Sequence, residues 1–336
     1  KLPKGVFNYI NIPGRIAGDL FLESGIDKLF FTGSVVIGKV LMKKASESLT
    51  PVCLELGGND PMIVLDDADL DRAVGGVIWG GFQNSGQSCG GVERIYVQEK
   101  VYDKFLSKLK ERVEKLRIGD SLAFDFDIGG MTTQNQIKIV NEHIEGALKG
   151  GAKLYAQSQG GEINLLAAKV IIDVNHNMDL MKHETFGPVV GIMKFSSDNE
   201  AIELANDSYL GLTASVWTKN SKRADMIAKT IKAGVVTIND HLMSHGLAET
   251  SWGGFKQSGI GRTHGKFGFD EMTQPQFIVK DLFSFLPKNL WWHPYSEKLY
   301  KGLSGLLQFL YGKNIGAKIS GLKNLLKIVP RMLERK

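Results

Sequence analysis

Short β-branched runs alternate with longer amphipathic stretches along most of this chain, and that alternation constrains its fold more than any other feature. A period of two followed by a period of three to four, repeated, calls for a sheet covered by helices, an α/β architecture. The pattern predicts strands at Lys28–Thr32, Val52–Leu56, Met62–Leu65, Glu93–Val97, Val189–Phe195, Ala214–Trp217, Val235–Ile238 and Gln276–Val279. It predicts helices at Ile37–Ser48, Leu70–Gly80, Lys100–Lys115, Gln134–Lys149, Ser197–Ala205 and Ser221–Ile231. Asp69 stands where a side-chain cap would satisfy the first free N–H groups of a helix opening at Asp71 and Arg72. Gly150-Gly151 and Gly160-Gly161 read as turns, and no internal repeat is visible.

The charge is unevenly placed. From Leu282 to Lys336 there are ten Lys/Arg against two Glu, about +8, whereas the whole 336-residue chain is +5, leaving about −3 for residues 1–281. The basic character therefore belongs to the tail, and nucleic acid is not expected as a partner. The tail is rich in Leu, aromatic residues and Lys, with candidate helices at Ser296–Tyr311 and Ile315–Leu333. It reads as a helical pair packed on the body or on a neighbouring subunit, or as an anchor on a membrane surface, the second being favoured. Two cysteines, Cys53 and Cys89, make no disulfide framework and suit a reducing compartment. The expected location is the cytoplasm, with association at the cytoplasmic face of a membrane through 282–336. The chain opens at Lys1 rather than Met and is expected to be a fragment.

Three motifs carry chemistry. In Gly86-Gln-Ser-Cys89-Gly-Gly91 a cysteine lies among glycines and small polar residues, a turn that lets a carbonyl carbon approach the sulfur. A buried structural cysteine is the competing reading, and it is the one that Cys53, between Val52 and Leu54, receives. In Leu54-Glu55-Leu56-Gly57-Gly58 a carboxylate ends an apolar strand; desolvation there makes it a base near neutrality, with a salt-bridged strand end as the alternative. Phe31-Thr-Gly33-Ser34-Val-Val-Ile-Gly38 runs from strand to helix across small residues, a turn suited to phosphate or simply an ordinary connection. Asp240-His241 with His245 could pair on a metal, but Gly246 and its polar neighbours favour a loop, and no metal is expected.

Together these motifs resemble the aldehyde dehydrogenase superfamily over residues 1 to about 280, bacterial succinate-semialdehyde or general members above all. The 34-residue separation of Glu55 from Cys89, Glu184-Thr-Phe186-Gly-Pro188, Ala205-Asn-Asp-Ser208, Leu210-Gly-Leu212 and the run Trp252 to Arg262 strengthen the likeness. The resemblance implies Cys89 as nucleophile, Glu55 as the base that activates water, and NAD or NADP as hydride acceptor. It places Gly33, Ser34 and Gly38 along the pyrophosphate, Leu56 near the carboxamide, Glu184 on the ribose and Phe186 beside the ring. It implies a partial Rossmann-like cofactor region at 1–56, an α/β catalytic domain at 57–265, an oligomerisation strand in 266–281 and a helical basic extension at 282–336. Dimers or tetramers follow from the family.

The resemblance also puts the family's oxyanion asparagine and half of its nucleotide-binding sheet ahead of Lys1. Losing one oxyanion donor costs about two to three orders of magnitude in rate, and half a sheet would expose a long apolar edge, so this chain alone is expected to be inactive and poorly folded. Ser251 and Val36 depart from the family's common Pro and acidic residues. Arg94 occupies a general family position and does not diagnose a semialdehyde substrate. A CoA-acylating enzyme would not need Glu55. A non-catalytic relative would not need the Cys89–Glu55 pair, and a membrane-binding module would explain only the tail.

Overall fold

The structure, a computed structural model, describes residues 2–121, 123–160 and 164–334; Gly161 of the second expected glycine turn lies outside them. The chain divides into two compact units, residues 1–274 and 275–336.

In the first unit, α1 (Gly14–Glu23) precedes β1 (Leu29–Thr32), α2 (Val35–Ala45) and β2 (Val52–Glu55). There follow β3 (Asp60–Val64), α3 (Leu70–Phe82), β4 (Val92–Gln98), α4 (Tyr102–Glu114), α5 (Gln134–Lys149), β5 (Lys153–Gln157), β6 (Lys169–Ile172) and α6 (Asp179–Lys182). The unit ends with β7 (Val189–Phe195), α7 (Asp198–Asn206), β8 (Leu210–Gly211), β9 (Thr213–Trp217), α8 (Ser221–Ala228), β10 (Val235–Ile238), β11 (Phe255–Lys256), β12 (Gly259–Ile260) and α9 (Gly265–Glu271).

Seven strands form one sheet in the order β10-β9-β3-β4-β7-β6-β5, parallel except for the last pair. Parallel strands need cover on both faces, and alternating side chains supply two cores. Ile63, Leu65 and Tyr96 join one core with α5, α7 and α8, while Met62, Val64, Ile95 and Val97 join the other with α3 and α4. Asp69 does cap α3, accepting from the Asp71 and Arg72 N–H groups at 3.1 Å. A second sheet, β1-β2-β12, pairs β1 and β2 in parallel and packs Leu22, Leu29, Leu41 and Ala45 beneath it.

The strand expected at Gln276–Val279 does not form. Phe277, Ile278 and Val279 are exposed, and no neighbouring ladder among the described residues offers their backbone a partner. An unpaired strand has nothing to stabilise it. In the second unit, α10 (Glu297–Tyr311) and α11 (Ile315–Leu326) pack together, with Gly302, Gly305 and Gly321 buried where they meet. The expected second helix stops before Leu333, and a short 3₁₀ turn holding Pro330 takes over at Val329.

Candidate active site

The carboxyl ends of β1 and β2 open the site. Thr32 pairs with Glu55, and Gly33 N–H donates to the Glu55 carbonyl at 3.0 Å, so the turn Gly33-Ser34 lies beside the end of β2. Ser34 Oγ accepts from Ile37 N–H at 3.3 Å and starts α2. Past Glu55 the chain is fixed by Ser258, whose carbonyl accepts from Leu56 N–H at 3.0 Å and whose hydroxyl donates to the Gly57 carbonyl at 2.7 Å.

The loop carrying Cys89 is strained ahead of the sulfur. Asn84, Ser85 and Gly86 follow one another at φ 51°, 59° and 68°. A left-handed conformation costs a side-chain-bearing residue about 1–2 kcal/mol, and such backbone persists where its surroundings over-determine it. Here Ser85 Oγ donates to the Gly129 carbonyl at 2.6 Å, and Thr132 N–H donates to Gln87 Oε1 at 2.9 Å. Gly86 is required: a Cβ there would overlap the Gly187 carbonyl.

Beyond Cys89, the Gly90 carbonyl accepts from His241 Nε2 at 2.9 Å. A carbonyl only accepts, so Nε2 carries the proton and Nδ1 accepts from Ser215 Oγ at 2.8 Å. Burial holds His241 near pKa 4, hence neutral. His241 thus pins the nucleophile loop, while the His245 ring lies edge-on to Trp252. Among the described residues no group of three or more His, Cys, Asp or Glu is placed for a metal.

A cavity of about 430 Å³ brings these parts together. Thr32, Gly33 and Ser34 line it with Glu55, Leu56, Gly57, Cys89, Gln136, Ile139, Glu184 and Phe186. Of the residues singled out in the sequence, Gly38 is not in the lining; it faces the Leu56 side chain, which a Cβ would overlap. Cys53 is fully buried, as read from its neighbours.

Burial dominates the electrostatics of the site. Burial pushes the Cys89 thiol up to about 11, with the Asp60, Glu184 and Glu55 charges adding and the Gly90 N–H opposing. Burial raises Glu55 to about 7, opposed by Arg262 and the Trp252 indole N–H. Neither Glu55 oxygen has a hydrogen-bond partner of good geometry. Burial, followed by the charge of Glu93, raises Glu184 to about 8, against one donor, Gly58 N–H at 3.1 Å.

Of three buried polar residues around the site, Glu93 and Asn59 carried no expectation from the sequence, and Arg94 had only a general family position. Glu93 accepts from the backbone of Thr185 and Phe186, and Asn59 donates to it at 2.8 Å. Arg94 Nε donates to the Asn59 carbonyl at 2.8 Å, and its Nη groups reach the Leu204, Ala205 and Asp207 carbonyls and Tyr96 Oη. That accounts for the Ala205-Asn-Asp motif, whose carbonyls Arg94 satisfies. The signal was present: a Glu-Arg pair inside a strand that is otherwise apolar.

Residues 1–278 match the aldehyde dehydrogenase family. The chain is 40% identical over 313 residues to a 4,4'-diapolycopene aldehyde oxidase of a Methylomonas species, covering 93% of this chain and 58% of that protein. It is 37% identical over 282 residues to an Escherichia coli succinate-semialdehyde dehydrogenase (NADP+), covering 82% and 58%. Among solved structures, an NAD-dependent aldehyde dehydrogenase from Sinorhizobium meliloti superposes with a TM-score of 0.78 at 36% identity, over 81% of this chain and 55% of that one. The chain thus spans a little over half the length of these relatives.

Proposed function

The chain belongs to the aldehyde dehydrogenase family, and on that premise we propose that the protein oxidises an aldehyde to a carboxylic acid with NAD+ or NADP+. One observation carries the reading: a single cavity joins the Cys89 thiol, the partnerless buried Glu55 carboxylate, Glu184 and the Gly33-Ser34 turn.

These residues fit a dinucleotide. Glu184 has one donor and free acceptor capacity for ribose hydroxyls. Gly33 and Ser34 offer small residues and a helix start for phosphate, and Leu56 and Phe186 would border the nicotinamide end. When bound, the oxidised nicotinamide supplies the hydride acceptor.

The chain's own groups do the rest. Cys89, as thiolate, adds to the aldehyde carbon to give a thiohemiacetal, which becomes a thioester on Cys89 once its hydride has gone. Glu55 takes a proton from water, whose oxygen attacks the thioester carbon. The carbon–sulfur bond then breaks, releasing the acid and Cys89. A buried base poised at about 7 is what hydrolysis needs and transfer to a thiol such as CoA does not, which favours water as the acceptor.

The substrate is read as a long apolar aldehyde met at a membrane surface. The described lining carries two carboxyl groups, Glu55 and Glu184, which would repel a second carboxylate brought in beside the aldehyde. The Methylomonas relative, a 4,4'-diapolycopene aldehyde oxidase, aligns well past residue 278, into the basic unit. There Ile315, Ile319, Leu322 and Leu326 form an exposed apolar row on α11, with Lys318 and Lys323 on either side of it. On this proposal the protein works in the cytoplasm, held at the cytoplasmic face of a membrane through residues 282–336, as a homodimer or tetramer.

The test is aldehyde-dependent reduction of NAD+ and NADP+ by the intact protein, with Cys89→Ala abolishing it. Glu55→Gln should still form the acyl-enzyme, visible as a mass increment on Cys89, and fail to turn over. Reduction that survives Cys89→Ala overturns the mechanism. Binding to anionic vesicles that persists in Ile319→Asp/Leu322→Asp overturns the membrane reading.

A further inference from the structure

Phe186, on the cavity wall, sits at φ 49°, a left-handed backbone that a bulky aromatic residue rarely adopts. Nothing in Glu184-Thr-Phe-Gly itself stabilises that conformation, so something outside the segment does. The candidate lies on β4, immediately after the nucleophile loop. The Glu93 carboxylate is buried, and its Oε1 accepts from Phe186 N–H at 2.8 Å and from Thr185 N–H at 2.9 Å. Its Oε2 accepts from Thr185 N–H at 3.0 Å and from Asn59 Nδ2 at 2.8 Å. Asn59 Nδ2 also donates to the His183 carbonyl at 3.2 Å. Backbone on both sides of Glu184 is therefore tied to one carboxylate and one amide.

We infer that Glu93, braced by Asn59, is a positioning residue that holds the Glu184–Phe186 wall in its strained turn and so sets the affinity of the cavity for the dinucleotide. This rests on the dehydrogenase reading given above. Charge-assisted bonds to backbone N–H groups are the stronger kind, and two convergent ones on consecutive residues define a turn. The link also ties the wall to the strand that begins at the Cys89 loop, so both sides of the cavity share one anchor.

Glu93→Gln keeps the volume but places an amide N–H₂ where Oε2 met Asn59 Nδ2, donor against donor. In the intact protein, the dissociation constant for NAD+ or NADP+ should rise at least about tenfold in Glu93→Gln. The rate of Cys89 alkylation by iodoacetamide should stay within about twofold, because the thiol's own loop is untouched. In a Phe186→Gly background, where the left-handed turn no longer needs holding, the same Glu93 change should cost less than about threefold. Asn59→Ala, which removes only the brace, should weaken binding by about threefold and serves if Glu93→Gln does not fold.

An unchanged dissociation constant in Glu93→Gln, or an equal penalty with and without Phe186, overturns the assignment. So does joint loss of binding and alkylation, which would mark a general structural role. If the wild-type protein binds neither dinucleotide, the dehydrogenase reading falls and takes this one with it; binding by wild type with no effect of Glu93→Gln or Asn59→Ala removes this one alone.

Discussion

Glu55→Gln separates function from stability in a way that can be worked from the site. Burial raises the Glu55 carboxyl from its ordinary 4.5 to about 7, and its oxygens have no hydrogen-bond partner of good geometry. The folded state therefore holds the proton more tightly than the unfolded one. Stability from this group is fully present below pH 4.5 and is lost as pH rises through the folded value near 7. At about 1.4 kcal/mol for each tenfold change in the protonation equilibrium, the charged carboxylate costs the folded protein about 3 kcal/mol above neutrality. Glutamine removes that cost without changing the shape. Urea titrations should thus show Glu55→Gln more stable than wild type by about 2–3 kcal/mol at pH 8 and indistinguishable from it near pH 4. Over the same range the wild-type rate of thioester hydrolysis, followed after a single acylation, should rise with pH and level off above 7, because the base must be ionised. It should fall about tenfold per pH unit below 6. Glu55→Gln should lack this limb. A variant less stable than wild type at pH 8, or a hydrolysis limb centred near 4.5, would refute the claim that a desolvated, unpaired Glu55 is the base.

Other outcomes follow from the same geometry. The Cys89 thiol, raised to about 11, should be alkylated faster with each step from pH 7 to 10; a plateau below pH 8 would contradict its surroundings of burial and carboxylates. Gly86→Ala meets both a positive φ and the Gly187 carbonyl, and should lower stability by about 3 kcal/mol in urea unfolding. His241→Ala removes the donor to the Gly90 carbonyl and should cost about 2–4 kcal/mol together with slower Cys89 alkylation. Arg94→Lys cannot reach the carbonyls that the guanidinium spans, and thermal unfolding should show a loss of about 3 kcal/mol.

The sheet and its covering helices were legible because buried parallel strands leave long apolar runs; β7 and α5 match their predicted bounds to the residue. Edge strand β5 was not, since Lys153–Gln157 is mostly solvent-facing and too polar to stand out beside the preceding glycines, and β6 is an apolar run of only four residues, Lys169–Ile172. Helix α1 was missed for a related reason: Ile16, Leu20 and Phe21 are largely exposed, and Leu22 alone is buried. The segment Gln276–Val279, expected as an oligomerisation strand, finds no backbone partner among the described residues of this chain. Its β propensity is real, but a strand exists only where another backbone completes its hydrogen bonds. His241 was read with His245 as a possible pair because sequence proximity suggested it, whereas its partners, Ser215 and Gly90, lie 26 and 151 positions away.

Three glutamates around one cavity show why residue type underdetermines role. All three are raised chiefly by burial, Glu55 and Glu93 to about 7 and Glu184 to about 8, so their protonation alone does not tell them apart. The donors facing them do. Glu55 has none of good geometry and keeps its lone pairs for a proton. Glu184 has one, Gly58 N–H, and retains capacity for hydroxyl groups at the cavity. Glu93 has three, two of them backbone amides on a strained turn, and is spent on holding structure. Adjacent glycines disclosed the first in the sequence, and a Thr-Phe-Gly-Pro context the second. Glu93 has Gly90-Gly91 as close to it as Gly57-Gly58 are to Glu55, but that pair belongs to the Cys89 loop, and the partners of Glu93 come from Asn59, 34 residues upstream, and from Thr185 and Phe186, 92 and 93 downstream. A buried carboxylate that serves distant backbone leaves almost no local trace beyond its own improbability in an apolar strand. For that reason the cavity's chemistry was visible in the sequence and its scaffolding was not.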